Sequence, residues 1–296
     1  MSEFGCKNIS FDFHIHTVLG SPDAKQSVKD AIATAKLAGL DTIAITDHNS
    51  IDSLDEALAL SKQMGVCVIC GCEFSSTITG LGEDLDGCNI HVLGLGISNS
   101  KGLFEKIIKE ARDNRRKWES QLKQLCEKTY GIKLKTSTYY EMREELVQLG
   151  LFQDKKAAKR WLNDGSHGIK LPSYIPISKI VSSIHEMGGI AIWAHPTRGE
   201  NNRVLVSDDI LRISKYLISK GLDGMELYHP DVISDYESFQ TVKEIVEKHN
   251  LLVSVGSDRH NAFNAYGEHY FKAYDYLNNS KADFLIIKQK LLKAIK

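Results

Sequence analysis

The chain has 296 residues, of which 42% are hydrophobic and 25% charged, a composition that excludes disorder as the overall state. Its 37 basic and 38 acidic residues give a formal net charge of -1, which excludes a broadly basic surface of the kind that coats nucleic acid but leaves room for a local basic patch. No apolar run approaches the length of a membrane span, and the first ten residues lack the charged and apolar regions of a signal peptide. We therefore expect a cytoplasmic protein with no membrane partner and with reduced thiols.

Apolar, β-branched runs predict seven strands, and most of them precede a helical pattern. In chain order the strands are expected at residues 10–16, 41–47, 65–73, 89–96, 189–195, 224–229 and 251–258. Helices are expected at residues 28–38, 53–62, 177–186, 208–220 and 234–249. Several strands are apolar at nearly every position, which is typical of a parallel sheet covered on both faces. The alternation predicts an α/β fold with right-handed crossovers, either a barrel or an open doubly wound sheet.

The connection between the fourth and fifth strands departs from this alternation. Helical patterns at residues 102–127, 139–149 and 154–163 are separated by few β-branched runs. Long connections in compact domains are usually functional or form subdomains. We therefore expect a helical insertion subdomain at residues 99–172, within a discontinuous domain at residues 8–98 and 173–296.

Residues that can bind metal ions stand at or near the ends of the predicted strands, where α/β barrels carry their functional side chains. They are His14, His16, His48, Glu73, His91, His195, Asp258 and His260. Residues i and i+2 of a strand share a face, so His14 and His16 can aim at one point, as can Asp258 and His260. Imidazole and carboxylate are ligands of zinc, iron and manganese. Because the set exceeds the needs of one tetrahedral ion, we infer two or three divalent ions; the alternative is that some of these histidines are structural.

Six segments of the chain resemble a known motif series. FDFHIHT, AITDHNS, CGCEFS, NIHVLGLG, AIWAHPTR and GSDRHN are similar to the motifs of the PHP (polymerase and histidinol phosphatase) superfamily. The resemblance covers residues 10–98 and 176–262, and it is greatest to the stand-alone bacterial enzymes that act on 3′,5′-nucleoside bisphosphates and on RNA 5′ ends. It implies a distorted seven-stranded (β/α)7 TIM-like barrel.

The resemblance also implies a trinuclear metal site. One ion would be held by His14, His16, Glu73 and Asp258, the second by Glu73, His91 and His195, and the third by Asp23, His48 and His260. The family reads S-D-G where this chain reads Ser21-Pro22-Asp23-Ala24. The third ion therefore depends on whether Asp23 reaches the site from a longer turn.

The activity that the resemblance implies is metal-dependent hydrolysis of a phosphate monoester of a nucleotide, with a metal-bound hydroxide as nucleophile. His195 or Asp258 would assist a proton transfer, and His229 would line the pocket. We expect Arg198 to contact a substrate phosphate, since arginine binds phosphate bidentately. Arg115 and Arg116 belong to a run that also resembles this branch, although a solvated helix face explains the run equally well.

Other functions stay open at this point. A phosphatase of a small metabolite such as histidinol phosphate would share the metal site. An amidohydrolase would require a strand-end lysine, where this chain has Glu73, and a non-enzymatic protein would have a decayed site. A zinc site at Cys67, Cys70 and Cys72 is a further alternative, but buried thiols are the ordinary reading. Asp12 and Asp47 flank ligand positions and either orient imidazoles or cap turns.

Overall fold

The computed structural model describes residues 10–98, 101–169, 175–199, 204–262 and 284–295. The chain divides into two compact units, Met1–Phe104 with Pro176–Lys296, and Glu105–Ile175. The first unit holds the sheet and the second is helical.

The sheet contains all seven predicted strands. They are β1 (Phe11–Ile15), β2 (Thr42–Ile45), β3 (Cys67–Thr77), β4 (Asn89–Leu95), β6 (Ile190–Trp193), β7 (Gly224–Tyr228) and β8 (Leu252–Val255), and they are ordered β1-β2-β3-β4-β6-β7-β8. A two-residue strand, β5 (Ile175–Pro176), lies off this order and was not predicted. Every residue of β1, β2, β6 and β7 is buried, as expected for strands covered on both faces, and in β1 and β7 the buried residues include Asp12, His14 and Glu226.

The helices of the first unit follow the strands closely. They are α1 (Val28–Leu37), α2 (Leu54–Met64), α6 (Ile177–Glu186), α7 (Ser207–Ser219), α8 (Pro230–Ser234), α9 (Tyr236–His249) and α10 (Phe284–Ala294). The helix expected at residues 234–249 begins instead at Tyr236, because the short α8 precedes it and Asp235 caps α9. Helix α10 was not predicted. Among the described helices, none has the length and apolar content that a membrane span requires.

The prediction of a parallel sheet is wrong at β4. This strand runs antiparallel to both β3 and β6, while the other pairs of the main order are parallel. The reason is the connection between β3 and β4, residues 78–88, which contains no helix to carry the chain back across the sheet. As a result, the beginning of β4 lies beside the end of β3, with His91 opposite Ser75.

The sheet curls until its first and last strands approach each other. An isolated bridge joins Ile15 at the end of β1 to Arg259 beyond β8, where His16 N donates to Arg259 O at 2.9 Å. The side chain of Gln26 donates to the carbonyl oxygens of both His16 and Arg259, at 2.7 and 3.0 Å. The architecture is therefore an α/β fold built on a curled seven-stranded sheet, with the ends of β1 and β8 held together.

The helical unit has a hydrophobic core of its own. Helix α3 (Lys101–Tyr130) leads into it, and α4 (Tyr139–Gln148) and α5 (Lys155–Leu162) follow. Its buried cluster consists of Trp118, Leu122, Cys126, Leu134, Tyr139, Met142, Leu146, Ala158 and Leu162. Helix α4 begins with a capping box between Thr138 and Glu141, which satisfies backbone N–H groups that the helix itself leaves unpaired.

Candidate metal centre

Glu73, on β3, is the centre of a cluster of imidazoles. Its side chain is fully buried, and five histidine rings approach its two carboxylate oxygens. To Oε1 the distances are 3.4 Å from His14 Nε2, 2.9 Å from His91 Nδ1 and 3.0 Å from His195 Nε2. To Oε2 they are 3.3 Å from His16 Nε2 and 2.8 Å from His48 Nδ1. The structure thus brings together side chains from five separate segments of the chain.

Asp258 forms a second convergence point. Its Oδ1 lies 3.5 Å from His14 Nε2 and 3.2 Å from His16 Nε2, so both rings of the H-x-H pair face Glu73 and Asp258 at once. Its Oδ2 accepts a hydrogen bond from the guanidinium of Arg198. Both histidines that the family resemblance assigns to one ion therefore lie within 3.5 Å of both carboxylates assigned to it.

Asp23 reaches the cluster in spite of its longer turn. Its Oδ2 lies 3.5 Å from His48 Nε2 and 3.6 Å from His260 Nε2. The turn is held from both sides, since Ala24 N donates to Ser21 O at 3.1 Å and Lys25 N donates to His260 O at 2.7 Å. All nine residues predicted as ligands consequently lie in one contiguous group.

Two of these residues occupy strained backbone positions. The expected strands would have included His195 and Asp258, but β6 ends at Trp193 and β8 at Val255. His195 has a φ of 30° and Asp258 a φ of 53°, a region that residues other than glycine rarely enter. The sequence suggested that alternation along a strand directs Asp258 and His260 toward the same point. The structure shows that it does not, because both residues lie beyond the end of β8. The left-handed turn at Asp258 and the bridge at Arg259 direct them instead.

The donor atoms fit divalent metal ions. Nitrogen and oxygen ligands about 2.1 Å from a common ion and separated by a tetrahedral angle lie about 3.4 Å apart. The separations of 3.2–3.5 Å around His14, His16, Glu73 and Asp258 match that spacing. His14 Nε2 and His16 Nε2 are buried and have no hydrogen-bond partner, which is costly unless another ligand binds them.

The possible ion positions overlap. In the described part of the chain there are three groups of residues whose ligand atoms all lie within 4.8 Å of one another: His16, His48 and His260; His14, His16 and Glu73; and His48, Glu73 and His91. His16 and His48 thus each belong to two groups. The resemblance, in contrast, assigns His16 to the first ion alone and His48 to the third ion alone. The geometry supports a cluster of ions sharing ligands.

The electrostatics favour cations in this group. Burial alone would raise the pKa of Glu73 and of Asp258, but the neighbouring histidines hold both well below their usual range. Burial opposes protonation of His14 and His48, yet nearby carboxylates raise the pKa of each well above 6.5. Burial and His48 together lower the pKa of His16 to about 3, which keeps it a neutral ligand. The carboxylates of Glu73 and Asp258 are therefore ionised at neutral pH. His14 and His48 carry protons there, and a bound metal ion would replace these protons.

Glu226, on β7, was missed by the sequence analysis. It is fully buried, and its oxygens lie 3.1 and 3.2 Å from His14 Nδ1. It also accepts a hydrogen bond from His195 N at 2.8 Å. The available signal was a lone glutamate in the otherwise apolar strand GMELY, since a buried carboxylate requires a partner.

The two flanking aspartates hold the frame of the site. Asp12 Oδ1 accepts from His14 N at 3.1 Å and from Ser257 N at 3.0 Å, joining β1 to the segment after β8. Asp47 accepts from Thr17, Ser21 and Ser53, and Ser21 Oγ lies 3.0 Å from His16 Nδ1. Asp47 thus bears on His16 through Ser21, whose Oγ contacts both side chains.

Arg198 and His229 lie beside Asp258. Arg198 is about half exposed and pairs with both Asp231 and Asp258. His229 is buried, and its Nδ1 accepts from Asp231 N at 3.1 Å. Burial lowers the pKa of His229 to about 4, so the ring is neutral and its proton is on Nε2. That nitrogen, 4.0 Å from Asp258 Oδ2, can donate to an incoming oxygen but cannot bind a cation.

Arg115 and Arg116 belong to the helical unit, and Cys67, Cys70 and Cys72 lie on β3. Arg115 pairs with Glu119 at 3.2 Å within the helical unit, and Arg116 is exposed, 3.7 Å from Asp113. Cys67, Cys70, Cys72, Cys88 and Cys126 are free thiols. Among the described residues, no cysteine joins a group of three potential metal ligands, so a zinc site at Cys67, Cys70 and Cys72 has no support.

Comparison with known proteins identifies the family. Residues 12–221 match the PHP domain. This chain belongs to the PHP domain family. The 5′-3′ exoribonuclease of Haemophilus influenzae is 27% identical to this chain, over 84% of this chain and 89% of the exoribonuclease. The 3′,5′-nucleoside bisphosphate phosphatase of Chromobacterium violaceum is 25% identical over 86% of the PHP chain and 87% of its own. The phosphoribosyl 1,2-cyclic phosphate 1,2-diphosphodiesterase of Eggerthella lenta is 26% identical, covering 85% and 94%.

Solved structures show the same fold. An amidohydrolase from Chromobacterium violaceum with bound sulfate superposes with a TM-score of 0.69 at 22% identity, covering 86% of the PHP chain and 88% of its own. A candidate metal-dependent phosphoesterase from Bifidobacterium adolescentis gives 0.64 at 23% identity, covering 84% and 87%. The predicted family and enzyme class are confirmed: this chain is a PHP-domain phosphoesterase, and therefore a hydrolase.

Proposed function

We propose that this protein hydrolyses a phosphate monoester of a nucleotide, either a 3′,5′-nucleoside bisphosphate or an RNA 5′ end. The observation that carries the proposal is the convergence of five imidazoles on Glu73, with Asp23, Asp258 and His260 completing the group. The names of the relatives from Haemophilus influenzae and Chromobacterium violaceum support this substrate class.

Two or three divalent ions, of manganese, iron or zinc, would occupy the cluster. The proposed ligands are His14, His16, Asp23, His48, Glu73, His91, His195, Asp258 and His260. Bound there, the ions would supply Lewis-acid activation of water and of the phosphate oxygens. Mixed nitrogen and oxygen ligands suit all three metals.

The chain's own residues would then orient the substrate and move protons. Asp258, which pairs with Arg198, and His195 are the two candidates to assist a proton transfer. We assign to Arg198 the contact with a second phosphate, because its guanidinium is half exposed next to the cluster. His229 would donate from Nε2 to a substrate oxygen. Arg115 and Arg116 stay predictions from the sequence.

Three wider inferences accompany this function. We infer that the curled sheet is the distorted (β/α)7 TIM-like barrel of the family, which the bridge between Ile15 and Arg259 supports. We further infer that residues 99–172 form a helical insertion subdomain, which the division into two compact units supports. The free thiols support a reducing, cytoplasmic location.

The test is phosphate release by the purified protein with added manganese. Adenosine 3′,5′-bisphosphate, AMP and histidinol phosphate are compared at equal concentrations, with phosphoribosyl 1,2-cyclic phosphate as a fourth substrate. The proposal predicts the highest kcat/KM for the bisphosphate, and short 5′-phosphorylated RNAs are then tested next.

Equal or faster cleavage of histidinol phosphate would replace the nucleotide with a small metabolite as substrate. Preference for the cyclic phosphate would favour the activity named for the Eggerthella lenta relative. The first result would contradict the grip on a second phosphate. The second would not, because the phosphoribosyl group carries a phosphate of its own besides the cyclic one. Both results would leave the metal centre in place.

A further inference from the structure

Glu226 stands apart from the nine proposed ligands, yet it contacts two of them. It lies in the middle of β7 and is fully buried. Its two oxygens lie 3.1 and 3.2 Å from His14 Nδ1, and Oε2 also accepts from the backbone N–H of His195 at 2.8 Å. One carboxylate thus joins β7 to His14 on β1 and to His195, which follows β6.

The contact with His14 determines which ring nitrogen is free. A carboxylate has no proton to give, so the hydrogen bond requires the proton on His14 Nδ1. When the ring releases its second proton to bind an ion, the lone pair is on Nε2, which is buried without a hydrogen-bond partner. That atom lies 3.4 Å from Glu73 Oε1 and 3.5 Å from Asp258 Oδ1, on the side where an ion would bind. A carboxylate partner of this kind orients the imidazole and increases its basicity.

The contact with His195 acts on the backbone. His195 has a φ of 30°, and its N–H points at Glu226 Oε2. The hydrogen bond helps to hold a residue that would otherwise leave this strained conformation. Its side chain is thereby kept with Nε2 3.0 Å from Glu73 Oε1.

The absence of a side chain at Gly256 leaves room for the carboxylate of Glu226. A Cβ atom at Gly256 would lie 2.0 Å from Glu226 Oε1 and 2.4 Å from His14 Cβ. Any side chain there would displace the carboxylate or the histidine. The glycine beyond β8 is therefore part of the arrangement that seats Glu226 against His14.

We infer that Glu226 is a positioning residue of the metal centre, which holds His14 with its proton on Nδ1 and fixes the backbone of His195, and so raises the affinity for divalent ions. The inference rests on the metal centre of the proposed function and is independent of the substrate. It goes beyond the nine ligands by adding a partner that contacts no ion itself.

The test is manganese binding by metal-free protein, measured by titration calorimetry. In Glu226→Gln, the amide offers one acceptor oxygen for two donors, so its NH2 group must face either His14 Nδ1–H or His195 N–H. Affinity for Mn²⁺ is expected to fall by about 10–100-fold. Thermal unfolding of the metal-free variant shows whether the fold is retained.

Asp223 supplies a matched control on the neighbouring part of the chain. Its Oδ2 accepts from a histidine ring, His185 Nε2 at 2.8 Å, and from a backbone N–H of β6, Ala191 at 2.7 Å. Asp223→Asn therefore repeats the same chemical change just before β7, away from the ligands. Unchanged Mn²⁺ affinity is expected in this variant.

A second measurement requires no substitution at Glu226. In zinc-loaded protein labelled with ¹⁵N-histidine, His14 is expected to carry its proton on Nδ1, with His14→Gln used to assign the signal. A proton on His14 Nε2 would overturn the inference, as would wild-type Mn²⁺ affinity in Glu226→Gln or an equal loss in Asp223→Asn. Failure of the unsubstituted protein to bind Mn²⁺ would overturn the metal centre itself, whereas a different preferred substrate would leave the role of Glu226 unaffected.

Discussion

Replacing Gly256 with alanine tests the packing behind the metal centre with a single methyl group. The added Cβ would lie 2.0 Å from Glu226 Oε1 and 2.4 Å from His14 Cβ, both far inside van der Waals contact. His14 Cβ is tied to the backbone of β1, so the flexible end of Glu226 is the part that moves first. The carboxylate must shift by more than about 1 Å, since non-bonded carbon contacts have their optimum near 3.5 Å.

The size of the effect follows from two costs. Overpacking a filled core costs about 1–3 kcal/mol. Moving Glu226 leaves the His14 Nδ1–H or the His195 N–H buried without an acceptor, which costs a further amount of about 1–3 kcal/mol. We therefore expect a loss of about 2–6 kcal/mol in the free energy of unfolding. At about 2–4 °C per kcal/mol, the midpoint of thermal unfolding should fall by roughly 4–24 °C.

The assay combines thermal unfolding of metal-free protein with Mn²⁺ titration. Gly256→Ala should bind Mn²⁺ about 10–100-fold more weakly, as expected when an outer partner of a ligand is displaced. Gly102→Ala is the matched control, because nothing lies within 4 Å of its added Cβ and it belongs to helix α3. That variant should gain up to about 1 kcal/mol and bind Mn²⁺ normally.

A double substitution separates the two causes. With Glu226→Ala in place, the oxygen at 2.0 Å is gone, so Gly256→Ala should cost less than it does alone. Wild-type stability and Mn²⁺ affinity in Gly256→Ala would refute the reasoning, because they would show that the carboxylate is not seated where the structure places it.

Other predictions concern the site directly. His14→Ala should abolish turnover while circular dichroism shows a retained fold; full activity would contradict its role as a ligand. His229→Phe should lower kcat/KM by about 10–100-fold, the value of a hydrogen bond to a charged group, with bound metal unchanged in elemental analysis; loss of metal would show that His229 is a ligand. Arg198→Ala should raise KM mainly for substrates with a second phosphate, and an equal rise for AMP would remove that role. Because nearby carboxylates raise the pKa of His14 and His48, protons compete with ions for both rings below the raised pKa. Mn²⁺ affinity should therefore increase as the pH rises toward that pKa, with release of protons, and a flat profile would contradict this.

Local pattern predicted most of the elements of this fold. The seven strands of the main order and the helices that follow them arise from apolar runs and helical periodicity, both of which are short-range properties of the chain. The direction of β4 could not be read in this way. It depends on whether residues 78–88 form a helix that crosses the sheet, and the pattern of β4 itself is apolar in either direction.

The ligand candidates could be predicted because they are polar residues at the ends of buried strands. Their number and chemistry pointed to metal ions, and the motif series pointed to the family. Glu226 was overlooked because its position within a strand, away from the strand's end, carried no sign of a metal role. Only its contacts with His14 and His195 reveal what it does.

The amino-acid sequence by itself determined the identity of the strands, the chemical nature of the site and the family of the protein, since these depend on residue type and on spacing along one segment. The tertiary structure alone decided that Asp23 reaches His48 and His260 from its longer turn, and that Asp258 is aimed by a left-handed turn beyond β8. It also decided that Gly256 leaves the space in which Glu226 meets His14. Each of these is a relation between segments far apart in the chain, and their distances are set by how the sheet curls, which no single segment specifies.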